Sequence, residues 1–282
     1  MKFPERLDDL TNDYDVLFCD VWGVVHNGEE AFPLACEALQ RARAKGVKVI
    51  LVTNSPRPFP GVVAQLGTLG VPDDAYDVVV TSGDVTRDLI AEGPRKVFYI
   101  GADHEYAIFD GLDVEVVEEF EAAGVVCTGL FNDEVETPED YTEMLERFRA
   151  RNLPFICANP DLMVERGTRM IWCAGVLARD YGLMGGRTQV AGKPHHPIYE
   201  AALKAAEKLL GRSVEKSRIL AIGDGILTDV KGAAQFGVDV LYISGGVHAA
   251  DYIDAETVDV EKLKAFLNKH GHQPVATIKH LV

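Results

Sequence analysis

Short apolar, β-branched runs alternate along this chain with longer segments in which apolar residues recur every three or four positions. Val16–Cys19, Lys48–Thr53, Asp77–Thr81, Lys96–Ile100, Val125–Thr128, Phe155–Cys157, Ile219–Ile222 and Val238–Ile243 read as strands. Leu34–Lys45, Gly61–Leu69, Gly83–Glu92, Pro138–Arg151, Met170–Tyr181, Pro197–Leu210, Leu227–Phe236 and Val260–His270 read as helices. Alternation of this kind predicts an α/β fold, a parallel sheet with helices on both faces. Nearly unbroken apolar strands such as "VILV" and "RILAIG" fit burial on both sides.

Ligands of such sheets collect outside the carboxyl ends of the strands. Four strands end in polar or glycine-containing groups: Asp20 with Gly23, "TNS" (Thr53 to Ser55), "TSG" (Thr81 to Gly83) and "GDG" (Gly223 to Gly225). The middle of the chain has strands and helices of its own, and there the pattern predicts no comparable cluster of acidic strand ends. That difference predicts a second domain, residues 95–186, inserted into a core built from residues 1–94 and 187–282. "RDLIAEGPRK" and "GGRTQVAGKP" are the expected hinges.

The composition, 47% hydrophobic and 26% charged over 282 residues, suits a soluble globular protein with an ample core. Stretches such as "VKVILV" are too short to span a bilayer, so no membrane association is expected. "MKFPERLDDL" has no apolar segment behind its charges, so no secretory signal is expected. Five scattered cysteines without a CxxC argue against a disulfide framework and fit a reducing cytoplasm. A formal net charge of −16 argues against nucleic acid as a partner. It also requires that any phosphate be held by a local device.

Taken singly, each strand-end motif has a bland reading. An aspartate after a strand is commonly a turn former, "TN" can cap a helix, and "GKP" can be a surface turn. "GDGILTD" lacks the spaced oxygen ligands and terminal glutamate of an EF-hand loop. In order, however, Asp20-x-Trp22-Gly23-Val24, Thr53-Asn54, Lys193, and Gly223-Asp224 with Asp229 resemble the four motifs of the haloacid dehalogenase-like hydrolases. "VILVTNSPR", "ANPD" (Ala158 to Asp161), "CAG" (Cys173 to Gly175), "GKPHHPIYEAAL" and "GDGILTDVKGAAQFGVDVLYISGGV" resemble its class IIA branch of nitrophenyl, nucleotide and sugar phosphatases.

The resemblance covers nearly the whole chain. It implies a Rossmann-like core with an inserted α/β cap, and a phosphatase that forms an aspartyl-phosphate on Asp20. It also implies Mg2+, held by Asp20, Asp224, the backbone carbonyl of Trp22 and, directly or through water, Asp229. Thr53 and Lys193 would contact the phosphoryl oxygens, with backbone amides at Asn54 and Ser55 assisting. Gly23 would let the backbone approach the phosphate. Arg57 and Asp161 match positions near the cap–core junction, as candidate substrate contacts.

One position departs from the pattern. Phosphatases of this family usually carry a second aspartate where this chain has Trp22, and that aspartate protonates the leaving group. An indole has an N–H donor and nothing to titrate. Three readings stay open: slow turnover restricted to good leaving groups; a proton from elsewhere, with His26, His195 and His196 as candidates; or a different reaction, or a catalytically weak protein that binds a phosphorylated metabolite. Trp22 itself fits a pocket wall and core packing equally well. The expected partner is a small phosphorylated metabolite, and a homo-oligomer is compatible with the sequence.

Overall fold

The computed structural model describes residues 1–254, 257–271 and 273–282. Its strands in chain order are β1 (Val16–Cys19), β2 (Lys48–Thr53), β3 (Val78–Thr81), β4 (Lys96–Ile100), β5 (Glu115–Val116), β6 (Gly124–Cys127), β7 (Pro154–Cys157), β8 (Met163–Arg166), β9 (Arg169–Trp172), β10 (Arg187–Val190), β11 (Ile219–Gly223), β12 (Asp239–Ile243), β13 (Ile253–Asp254), β14 (Thr257–Val258) and β15 (Ala276–Ile278). The α-helices are α1 (Pro33–Ala44), α2 (Phe59–Leu69), α3 (Ser82–Glu92), α4 (Thr142–Ala150), α5 (Ala174–Leu183), α6 (His196–Leu210), α7 (Lys231–Phe236) and α8 (Val260–His270). They fall into two compact units: residues 1–53, 63–80 and 199–282 form one, residues 54–62 and 81–198 the other.

The first unit is built on a six-stranded sheet in the order β15-β12-β11-β1-β2-β3. β1 pairs in parallel with β2 and β11, Cys19 standing opposite Leu51 on one side and Ile222 on the other. Every residue of β1 is buried, which is why its run is apolar at both odd and even positions. Each such side chain contributes about 1.5–3 kcal/mol on burial. After β1 the chain lays β2 and β3 to one side and β11, β12 and β15 to the other. The strand order therefore reverses between β1 and β11.

The second unit, the inserted cap, has its own all-parallel sheet, in the order β10-β7-β6-β4-β5. One face packs Phe148, Phe155, Leu177 and Tyr181 beneath α4 and α5. The other packs Ile90 of α3 with Val97, Ile108, Val126 and Ile156. The fold is thus α/β, a Rossmann-like parallel core with an inserted α/β cap. Arg187–Val190 is the edge strand of the cap sheet, paired in register with β7.

Two predicted elements change type. Met170–Trp172, expected to start a helix, is strand β9, paired antiparallel with β8 across the two-residue turn Gly167–Thr168. Gly167 takes φ +61°, the left-handed conformation such a turn demands. The helix begins only after Cys173. The start of the helix expected from Leu227 is instead a π turn, Ile226–Val230, leading into α7. Among the described residues, no helix is long and apolar enough to cross a membrane.

Candidate active site

β1 and β11 end side by side, and the amide of Asp20 donates to the carbonyl of Ile222 at 2.8 Å. Asp20 follows β1 and Asp224 follows β11, at the reversal of strand order where open parallel sheets bind ligands. Asp20, Asp224 and Asp229 are all buried, and each places a carboxylate oxygen within 4.8 Å of the others. At that separation two unit charges at an effective dielectric near 20 repel by about 3 kcal/mol. Hard carboxylate oxygens so arranged fit a small divalent cation such as Mg2+.

The backbone holds these carboxylates in place. The amide of Val247 donates to Asp224 Oδ2 at 2.9 Å, and that of Gly225 to Asp229 Oδ2 at 3.0 Å. Gly23 closes the other side with φ +83°, and a Cβ there would stand 2.4 Å from Asp224 Oδ2. Gly246 is pressed as closely, 2.1 Å from the same oxygen by the same construction. Nothing in the sequence reading singled out Gly246 or Val247. The signal available was "SGG" at the end of β12, the next strand in the same sheet.

Trp22 is half-buried and lies against its own loop. Its ring meets His26 edge-on, with centroids 5.1 Å apart. A Cβ on Gly28 would come within 2.4 Å of the indole. His26 is 2% exposed, and its Nδ1 accepts the Gly28 N–H at 3.0 Å. Burial pushes its pKa down to about 4, so the ring is neutral at pH 7. A neutral imidazole fixed in this way is a poor acid for a leaving alkoxide.

Thr53, the last residue of β2, is buried in the first unit. Its chain neighbour Asn54 opens the second unit, where it meets Lys193 and Asp161. Asn54 Oδ1 accepts the Lys193 amide at 2.7 Å, while its Nδ2 donates to the Lys193 carbonyl at 3.2 Å and to Asp161 Oδ1 at 2.9 Å. Lys193 is 3% exposed, unlike the solvated lysine of a surface turn. The Ser55 carbonyl accepts the Gly83 amide at 3.0 Å, and its hydroxyl accepts the Arg57 amide at 3.3 Å. Arg57 lies in the field of His104 and Glu105. His195 and His196 are exposed at the start of α6.

"TSG" has a local role: Thr81 caps α3 by accepting the Asp84 amide at 2.9 Å. The five cysteines are buried and form no disulfide, and burial holds the Cys127, Cys157 and Cys173 thiols protonated.

The haloacid dehalogenase-like hydrolase model matches residues 17–115, and a HAD-hydrolase-like model matches residues 190–266. A solved structure from Brucella suis 1330, a hydrolase of the haloacid dehalogenase-like family, is 71% identical over 99% of this chain and 100% of that one, with a TM-score of 0.91. The chain belongs to the haloacid dehalogenase-like hydrolases. Its relatives place it in the class IIA branch. The ribonucleotide monophosphatase NagD of Escherichia coli K12 is 28% identical over 247 residues, 85% of this chain and 91% of that protein. An acid sugar phosphatase of Staphylococcus epidermidis is 26% identical over 252 residues, 87% of this chain and 92% of that one.

Proposed function

We propose that this hydrolase is a Mg2+-dependent phosphatase of a small phosphorylated metabolite, with Asp20 as its nucleophile. The observation that carries the proposal is the convergence of three buried carboxylates at the switch point of the core sheet. The ribonucleotide monophosphatase and the acid sugar phosphatase above make phosphomonoester hydrolysis the family activity nearest to hand. The inserted segment from β4 to β10, residues 96–190, supplies the cap, reaching past the expected 95–186 to include β10, and the segments on either side supply the catalytic core.

A carboxylate oxygen of Asp20 attacks phosphorus, and the bond from phosphorus to the ester oxygen breaks, leaving an aspartyl-phosphate. Water then attacks that phosphorus, releasing inorganic phosphate and restoring the carboxylate. Asp20, Asp224, Asp229 and the carbonyl of Trp22 would hold a magnesium ion, which when bound supplies the positive charge that lets a phosphate approach this acidic cluster. Thr53 donates its hydroxyl to a phosphoryl oxygen and Lys193 neutralises another. Support for pairing these two comes from Asn54, bonded covalently to Thr53 and by hydrogen bonds to both backbone groups of Lys193.

Gly23, Asn54 and Ser55 offer backbone to the phosphate, and Trp22, Arg57 and Asp161 complete the substrate contacts. With Trp22 and a neutral His26 at the nucleophile loop, proton delivery to the leaving oxygen is the weak step. That step favours esters whose leaving groups need little help. The same feature supports a second reading, a phosphometabolite-binding protein with slow turnover.

A panel of phosphate esters assayed with Mg2+, wild type against Asp20→Asn, tests the proposal. Hydrolysis by wild type and its loss in the variant are expected. Equal rates in the two proteins, or no hydrolysis of any ester, would overturn it.

A further inference from the structure

The Val247 amide that holds Asp224 Oδ2 lies on a stretch with little grip of its own. Past β12 the chain stays tied to the strand beside it as far as Gly245. The amides of Ser244 and Gly245 donate to the carbonyls of Ile278 and Lys279 at 2.9 and 2.7 Å. It then turns, pressing Gly246 against the Asp224 carboxylate and pointing the Val247 amide at Oδ2. The Val247 side chain is 40% exposed and anchors little. What fixes this amide is the grip on the residues after it: His248, the short helical turn Ala249–Asp251, and Tyr252.

That grip comes from α8. Phe266, half-buried on this helix, has three rings packed around it. His248 lies with its centroid 5.1 Å away, Tyr252 at 5.3 Å and His270 at 4.7 Å. The rings meet at 46°, 62° and 52°, tilted or edge-on, an arrangement that fixes angles as well as contact. Tyr252 is 1% exposed, and its hydroxyl stands 2.8 Å from that of Tyr242 on β12. Asp259 caps α8 by accepting the amides of Glu261 and Lys262 at 3.0 Å, and donates its own amide to the Tyr252 carbonyl at 2.9 Å. The same helix packs against the π turn Ile226–Val230, which carries Asp229. All of these residues belong to the first unit.

We propose that Phe266 is a positioning residue for the metal centre, clamping His248 and Tyr252 so that the Val247 amide stays fixed on Asp224. Phe266 acts through the backbone of that loop. A carboxylate oriented by a fixed N–H is set in place before the cation arrives, and supports of this kind tune metal affinity. Leu263 and Leu267, both buried, anchor α8 to the core. Loss of the Phe266 ring therefore leaves the helix in place and loosens the loop.

This inference rests on the reading of Asp20, Asp224 and Asp229 as a Mg2+ site, and its test separates the two. Wild type, Phe266→Ala, Phe266→Tyr and Leu39→Ala are titrated with Mg2+ by calorimetry. Leu39, fully buried on α1, controls for lost stability alone. Phe266→Ala should raise the Mg2+ Kd about 10-fold, the lower end of what removing an orienting group costs. Phe266→Tyr keeps the ring and should match wild type; Leu39→Ala should lower the melting temperature and leave Kd unchanged. An unchanged Kd in Phe266→Ala, or as large a rise in Phe266→Tyr or Leu39→Ala, would overturn the proposal.

Hydrogen exchange at the Val247 amide supplies a readout that needs no metal. If wild type binds no Mg2+, the metal reading fails and exchange decides. Faster exchange of this amide in Phe266→Ala than in wild type and Leu39→Ala supports the clamp; equal exchange overturns it. Should melting curves show that Phe266→Ala does not fold, Phe266→Leu, which keeps bulk and loses the ring, replaces it in both measurements.

Discussion

Trp22 puts a large, half-buried ring where a proton donor is expected, and the ring is held by His26 and Gly28. Trp22→Asp should therefore have two separable effects. Turnover of alkyl phosphates should rise relative to nitrophenyl phosphate, toward the factor of about 10²–10⁴ that a positioned acid contributes. The melting temperature should fall, because the indole's contacts are lost. A uniform loss of activity on both ester types would mean that the ring shapes the pocket.

His26 makes a second prediction at this scale. Its folded pKa of about 4 lies below the ordinary 6.5, so the neutral ring stabilises the fold at and above pH 6.5. That contribution is lost as pH falls from 6.5 through 4, to a limit of about 3 kcal/mol. Melting temperature measured across this window should decline less steeply in His26→Gln than in wild type. Parallel curves would show that the ring protonates freely.

Among the elements, the loop after β1 is the most constrained. Gly23→Ala combines a left-handed φ with a Cβ 2.4 Å from Asp224 Oδ2. Gly70 has almost the same φ, +86°, with open space around its missing Cβ. Gly70→Ala should therefore cost only the backbone strain, on the order of 1 kcal/mol. Gly23→Ala should cost more and also weaken Mg2+ binding, measured by calorimetry on both variants. The β8–β9 hairpin illustrates the opposite case, an element that local pattern misassigned. "RMIW" continues into the helical spacing of "CAGVLARDY", and only pairing with β8 makes it a strand.

For the whole molecule, the core sheet reverses strand order between β1 and β11, where Asp20, Asp224 and Asp229 come together. In the core the reversal concentrates negative charge. Mg2+ should therefore raise the melting temperature of wild type, with each tenfold excess over Kd adding about 1.4 kcal/mol. EDTA should abolish the gain, and Asp224→Asn should not show it. An equal Mg2+ response in Asp224→Asn would place the cation elsewhere.

Much of this was legible along the chain. β1, β2 and β4 occupy the predicted residues, because strands buried on both faces leave an unbroken apolar run. Asp20, Thr53, Lys193 and Asp224 could be proposed from the chain because the chemistry of each requires a particular residue type in a fixed order. The supports of the site were not legible. Gly246 and Val247 fix Asp224 from another strand of the sheet, and glycines and apolar residues announce no chemistry.

The sequence by itself determined the fold class, the family and the gap at Trp22, since periodicity and residue identity are local properties of the chain. Tertiary structure brought Asp20 into one small volume with Asp224 and Asp229, which lie far along the chain from it. It also decided that burial holds His26 neutral at pH 7. Proximity and desolvation set those properties, and both arise only when strands remote along the chain become neighbours.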